Sequence, residues 1–267
     1  EPPGRIAAGR ILLDGRRIDD LDADAMRKIR GRQIGAIFQD PLTSLNPLYR
    51  VGDQIIETIR THLPVSEREA RERAIALLQE VGIQAAERRI DGYPHEFSGG
   101  MRQRVVLALA LCSEPELVIA DEPTTALDVT IQRQVLDLIK ARQQELGTAV
   151  IFITHDLAVV SEVCDFVNVM YAGRFVERAP VRSLFETPRH AYTRALQRSI
   201  PAMQEKGREL HTIPGLPPNL AREIPGCAFA PRCATNEGSP AHAARRPELV
   251  EVGAQHWVQD CAGCLAG

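Results

Sequence analysis

A chain of 267 residues with 44% apolar and 25% charged side chains has room for one large domain, or a medium domain with an appendage, and enough apolar content to fold around a core. Its 32 basic and 35 acidic residues leave a net charge of -3, which lacks the basic surplus of a nucleic-acid binder. The longest apolar run, Val105 to Cys112, is far short of the roughly 20 residues of a spanning helix; the first residues do not read as a signal peptide, and six cysteines are too few for a disulfide scaffold.

In chain order, Gly9 to Gly15 is a short apolar run ending in the turn signal Asp14-Gly15, and Ile34 to Phe38 is a buried-type strand that stops at Gln39. A stretch rich in helix formers follows. Ser66 and Glu69 have the spacing of a capping box, Ala74, Leu77, Leu78 and Val81 recur at helical spacing, and Gly82 suits the stop. A second helix is predicted over Gly100 to Cys112, a strand over Leu117 to Ala120, a helix over Ile131 to Leu146 ended by Gly147, and strands over Ala149 to Thr154 and Phe166 to Tyr171. Alternating strands and helices predict an α/β fold with a mostly parallel sheet, and the helical stretch at about 41–114 reads as an inserted subdomain. After about residue 180, prolines punctuate the chain and periodicity fades, so 1–179 and 180–267 divide into a main domain and a loop-rich accessory region.

Five short motifs carry the chemistry. Leu117 to Ala120 is an apolar strand that presents Asp121 and Glu122 at its C-terminal end, the edge where ligands bind parallel α/β sheets. Two adjacent carboxylates there suit phosphoryl transfer, one holding Mg²⁺ and the other orienting water. In Phe97-Ser98-Gly99-Gly100-Met101-Arg102-Gln103 a hydroxyl and two glycines precede a helix, so backbone N–H groups and the helix N-terminus can meet an anion. Gln39 follows a buried strand, Asp128 stands just past the carboxylate pair, and His155 ends the next strand. Alone, each has a structural explanation: an acidic turn, a serine cap, a histidine or glutamine in a packing role. Together, in one fixed order at strand ends and helix starts, they are not a coincidence.

That order resembles the nucleotide-binding subunit of ABC transporters. The resemblance implies a P-loop NTPase-type (RecA-like) core with an α-helical subdomain. It makes Gln39 the Q-loop glutamine, Ser98, Gly99 and Gly100 the signature loop (FSGGM here), Asp121 the Walker B aspartate, Glu122 the catalytic glutamate, Asp128 part of the D-loop and His155 the switch histidine. Phe38 to Pro47, His190-Ala191-Tyr192-Thr193, Pro214 to Pro218 and Gly226 to Cys233 are similar to the oligopeptide/dipeptide importer subfamily, with Ala191 in place of a proline. The resemblance therefore implies ATP and Mg²⁺ as cofactors. The implied partners are a second ATPase subunit (the same or a different chain), two transmembrane permease subunits and an extracytoplasmic solute-binding protein, with no nucleic acid. The implied place is peripheral, on the cytoplasmic face of the inner membrane. Two other readings differ in class: a soluble, non-transport ABC ATPase, and a non-catalytic partner that supplies only its signature loop in trans.

One family element is missing. Lys28, Lys140 and Lys206 are the only lysines and precede Ile29, Ala141 and Gly207, so no G-x-x-x-x-G-K-[ST] phosphate loop is present. Two explanations are open, an N-terminally truncated piece of a complete subunit or a natural product that is short; the start at Glu1 without methionine favours the first, and the chain by itself is expected not to hydrolyse ATP. In the tail, Cys227, Cys233, Cys261 and Cys264 suit a [4Fe–4S] cluster or tetrahedral zinc, and their spacing does not choose between them. The subfamily resemblance implies iron–sulfur, with a departure: no cysteine occurs from Ala234 to Arg246, leaving Cys264 or His242 as the fourth ligand, or a degenerate site. Cys112 and Cys164 read as core residues.

Overall fold

The computed structural model describes residues 4–40, 44–124, 127–200, 211–234 and 245–261. The chain forms two compact units, Glu1–His155 and Asp156–Gly267.

The first unit opens with a hairpin of β1 (Leu12–Leu13) and β2 (Arg16–Arg17). Its two-residue turn places Asp14 and Gly15 at φ 46 and 74°, the left-handed pair that matches the twist of antiparallel strands. Helix α1 (Ala23–Ile29) starts at Asp22, whose carboxylate accepts the Ala25 N–H at 2.7 Å. Strand β3 (Ile34–Ile37) leads to the helical region: α2 (Val51–His62), α3 (Glu67–Glu80) and the short α4 (Ala86–Arg89). Val51, Ile55 and Ile59 on α2 and Ala70, Ala74 and Leu78 on α3 are spaced four apart and fully buried, so one stripe of each helix builds the shared core. The expected capping box of Ser66 and Glu69 is present. The chain leaves α3 through Gly82 at φ 77°, with its N–H donating back to Gln79 O.

Helix α5 (Gly99–Leu111) is buried nearly all round from Val105 to Leu111. It lies so close to β3 that a Cβ at Gly35 would overlap the Ala110 carbonyl oxygen. Strand β4 (Leu117–Asp121), helix α6 (Val129–Leu146) and strand β5 (Ala149–Ile153) complete the unit. The sheet is parallel in the order β3-β4-β5, as the alternation predicted. Among the described residues β5 is an edge strand, and Ile151 and Ile153 on it are 50% and 48% exposed.

The second unit holds α7 (Leu157–Val163), β6 (Phe166–Tyr171), β7 (Arg174–Pro180), α8 (Val181–Glu186), α9 (Ala191–Arg198), β8 (Leu249–Gly253) and β9 (His256–Gln259). Its four strands are antiparallel, ordered β6-β7-β9-β8. Tyr171, Tyr192 and Phe229 meet at ring centroid distances of 4.6 to 5.3 Å in its core. This tail carries more regular structure than its prolines suggest. The elements are short, and β9 buries His256 and Gln259, so no apolar alternation marks it in the sequence.

Candidate functional site

The strand register assembles the first set of candidate residues. Ile37 pairs with Ala120, and Ala120 and Asp121 pair with Phe152 and Ile153. Gln39, Asp121, Glu122 and His155 therefore leave the sheet side by side at its C-terminal edge. Asp121 is the last residue of β4 and is half-buried; Gln39, two residues past β3, is exposed. Glu122 turns sharply out of the strand with φ 49°, a left-handed conformation that a glutamate rarely adopts, and its N–H donates to Ile153 O at 2.8 Å. That turn brings its carboxylate to 2.6 Å from His155 Nδ1. An ionised carboxylate only accepts, so Nδ1 carries the proton and the imidazole is held in one tautomer. The Glu122 side chain is 16% exposed and that of His155 is 80% exposed, so the pair has a sheltered carboxylate and an imidazole that reaches outward. This is the geometry of a base oriented by a neighbour and open to a ligand on one side.

The second set gathers at two helix starts. Ser98 is the N-cap of α5, its Oγ accepting the Met101 N–H at 3.4 Å, and Asp128 is the N-cap of α6, accepting from Thr130 and Ile131 N–H at 3.0 Å each. Ser98, Gly100, Asp128, Arg89 and Arg104 line one cavity of about 450 Å³. A Cβ at Gly100 would press on Ile131 Cγ2 at 3.3 Å, whereas one at Gly99 would meet nothing within 4 Å. Packing inside this chain thus explains one glycine and leaves Gly99 open to something that approaches from outside. The donor set also fits a hard cation and its phosphate ligand in part: Asp121 and Gln39 offer oxygen donors at the sheet edge. No lysine-bearing loop accompanies them.

Two groups of residues were given no role from the sequence. Gln103 on α5, 2% exposed, donates from Nε2 to the Pro123 carbonyl at 2.6 Å, immediately after Glu122. In the second unit Glu177, fully buried, accepts the N–H groups of Arg189 and His190 at 2.7 and 2.9 Å and the Nε2–H of His256 at 2.8 Å. His190 is also fully buried; its Nδ1 accepts the Tyr192 N–H, and burial lowers its pKa to about 4 against the partly opposing charge of Glu177. Gln103 and His190 stand in motifs of the sequence, but nothing there showed which distant groups they meet.

The tail cysteines depart from the expected metal centre. Cys227, Cys233 and Cys261 belong to one apolar cluster, and Cys264 lies outside the described residues. Burial pushes the Cys227 thiol up, with Cys233 adding to it, and Cys261 is disulfide-bonded. Among the described residues no group of three or more His, Cys, Asp or Glu side chains could hold a metal ion, so the expected centre is not assembled among them. Cys112 is buried as expected, its thiol pushed up to about 12.

The chain is similar to known proteins along most of its length. The family model "ABC transporter" matches residues 2–125, and "Oligopeptide/dipeptide transporter, C-terminal region" matches 176–238. The chain is 52% identical over 264 residues to a Brucella melitensis protein provisionally named a peptide import ATP-binding protein, covering 95% of this chain and 78% of that one. It is 48% identical over 259 residues to the oligopeptide transport ATP-binding protein OppD of Bacillus subtilis, covering 97% and 72%. The fold is similar to the ATP-binding cassette MJ0796, solved as a dimer bound to ADP and Pi, with TM-score 0.60 and 30% identity over 66% of this chain and 75% of that one.

Proposed function

Because the chain belongs to the ABC transporter family of ATP-binding subunits, we propose that it is the ATP-hydrolysing subunit of an importer for peptides or similar small solutes. The P-loop NTPase-type class expected from the sequence is the class of its structural neighbours. Glu122 is the residue that orients the attacking water, and His155 both fixes that carboxylate and reaches the γ-phosphate. Asp121 and Gln39 would hold Mg²⁺, which supplies neutralisation of phosphate charge when bound. Ser98, Gly99 and Gly100 face the nucleotide of a second ATPase subunit. The observation that carries the proposal is the 2.6 Å contact of Glu122 with His155 at the C-terminal sheet edge. No helix among the described residues is long and apolar enough to cross a membrane. In this reading two permease subunits supply the path and an external binding protein the solute. The subunit then sits peripherally on the cytoplasmic face of the inner membrane.

The test is steady-state hydrolysis by the purified transporter in lipid, assembled with a complete subunit that carries a phosphate loop. Glu122→Gln keeps the side-chain shape but cannot take up a proton, and we expect kcat to fall at least about a hundredfold with ATP binding retained. His155→Ala should cost a comparable factor. Wild-type turnover in either variant refutes the assignment.

A second reading concerns the tail. With Cys261 reduced, Cys227, Cys233, Cys261 and Cys264 would hold the iron–sulfur or zinc centre that their number and residue type imply, and the three described cysteines lie in one cluster. Iron, acid-labile sulfide and zinc measured on anaerobically purified chain test it, and absence of all three removes it.

A further inference from the structure

The first turns of α5 send three consecutive side chains to three different segments. Arg102 Nε donates to Pro94 O at 2.7 Å, and Arg104 Nη1 donates to Val81 O at 2.9 Å while its other terminal nitrogen reaches Gln134. Gln103, between them, is the buried member, and its target is the carbonyl of Pro123 at 2.6 Å. Pro123 follows Glu122, whose left-handed backbone has to be held against its intrinsic preference. One clamp on that turn is the Glu122 N–H donating to Ile153 O on β5. The Gln103 amide is a second clamp one residue further on, from the opposite element. The helix that begins at Ser98 and Gly99 is thereby joined by a single side chain to the turn that aims the Glu122 carboxylate at His155.

We propose that Gln103 is a positioning residue for ATP hydrolysis, holding the Glu122–Pro123 turn so that the helix bearing Ser98 to Gly100 sets the direction of the Glu122 carboxylate. This rests on the assignment of Glu122 given above. The consequence is communication between two nucleotide sites. A nucleotide of a partner subunit that touches Ser98 and Gly99 moves the start of α5, and the Gln103 amide carries that movement to the carboxylate of this chain's own edge. The link is short and covalent along α5, and its one non-covalent joint is a buried hydrogen bond, which costs most when one partner is removed.

Two readouts separate this role from packing. The first is the tautomer of His155, read from its ring nitrogen shifts by NMR at about pH 8, where a histidine is neutral. In the unaltered chain the contact with Glu122 holds the proton on Nδ1, and Glu122→Ala releases it toward Nε2. Gln103→Leu and Gln103→Met both remove the donor while keeping bulk, and each should shift His155 toward the Glu122→Ala spectrum. The second is hydrolysis by the complete transporter, where the same variants should lower kcat roughly ten- to a hundredfold with KM for ATP held. A lowered melting temperature with the His155 tautomer unchanged in both variants means a packing role only and overturns the proposal. A shifted tautomer with wild-type kcat in Gln103→Leu, Gln103→Met and Glu122→Gln alike leaves the clamp standing but refutes Glu122 as the water-orienting residue, and with it the catalytic role of Gln103.

Discussion

Glu122 combines a rare backbone conformation with a short polar contact, 2.6 Å to His155, and strain of this kind persists only where surrounding bonds over-determine it. The second unit has its own buried polar centre. Glu177 takes three donors with no exposure, so Glu177→Gln would leave at least one of them badly matched, and we expect a loss of about 3 kcal/mol in urea unfolding of the second unit. His190 predicts acid sensitivity. Its folded pKa of about 4 lies below the ordinary 6.5, so the unfolded chain binds the proton first. The stability contributed is present above pH 6.5 and is lost as pH falls from 6.5 toward 4, by up to about 3 kcal/mol. Melting temperature against pH should show this decline, and His190→Asn, which keeps an acceptor for the Tyr192 N–H, should flatten it.

At the scale of elements, α5 decides the architecture of the first unit. It packs on β3 through Gly35, where any side chain would strike the Ala110 carbonyl. Gly35→Ala must push α5 from the sheet, and overpacking of this kind costs about 1–3 kcal/mol; a reduced urea midpoint with unchanged m-value checks it. Helix starts carry a milder dependence. Asp128 caps α6 with two hydrogen bonds, so Asp128→Ala should cost about 1 kcal/mol even before any ligand is considered. The capping box of α3 and the glycine stops of α3 and α6 were legible in the sequence because they are local: a hydroxyl or carboxylate reaches only its own helix's first turn, and a glycine ends the helix. The short helices and strands after Pro180 were not, because elements of four to eight residues with buried polar groups leave no periodic trace.

For the molecule as a whole, the balance of charge and the lysine count bear on nucleotide affinity. Without a lysine and amide cradle for the phosphates, the chain as it stands should bind Mg·ATP weakly, and titration calorimetry showing tight, Mg-dependent binding would contradict this. The half-exposed Ile151 and Ile153 on edge strand β5 are unusual for a parallel sheet, which ordinarily has both faces covered.

The sequence by itself determined the class of the protein and its principal candidates. Gln39, Asp121, Glu122 and His155 each follow directly on an apolar strand, and in a parallel sheet strand ends share one edge, so their convergence was implied by chain order alone. Ser98, Gly99, Gly100 and Asp128 were readable for the same reason, as local signatures of helix starts. Only the tertiary structure decided which side chains hold these groups. The Gln103 bond to Pro123 spans 20 residues, and the Glu177 bond to His256 spans 79. Such bonds depend on how elements pack, and a buried polar side chain finds its partner through space, where composition and periodicity carry no information.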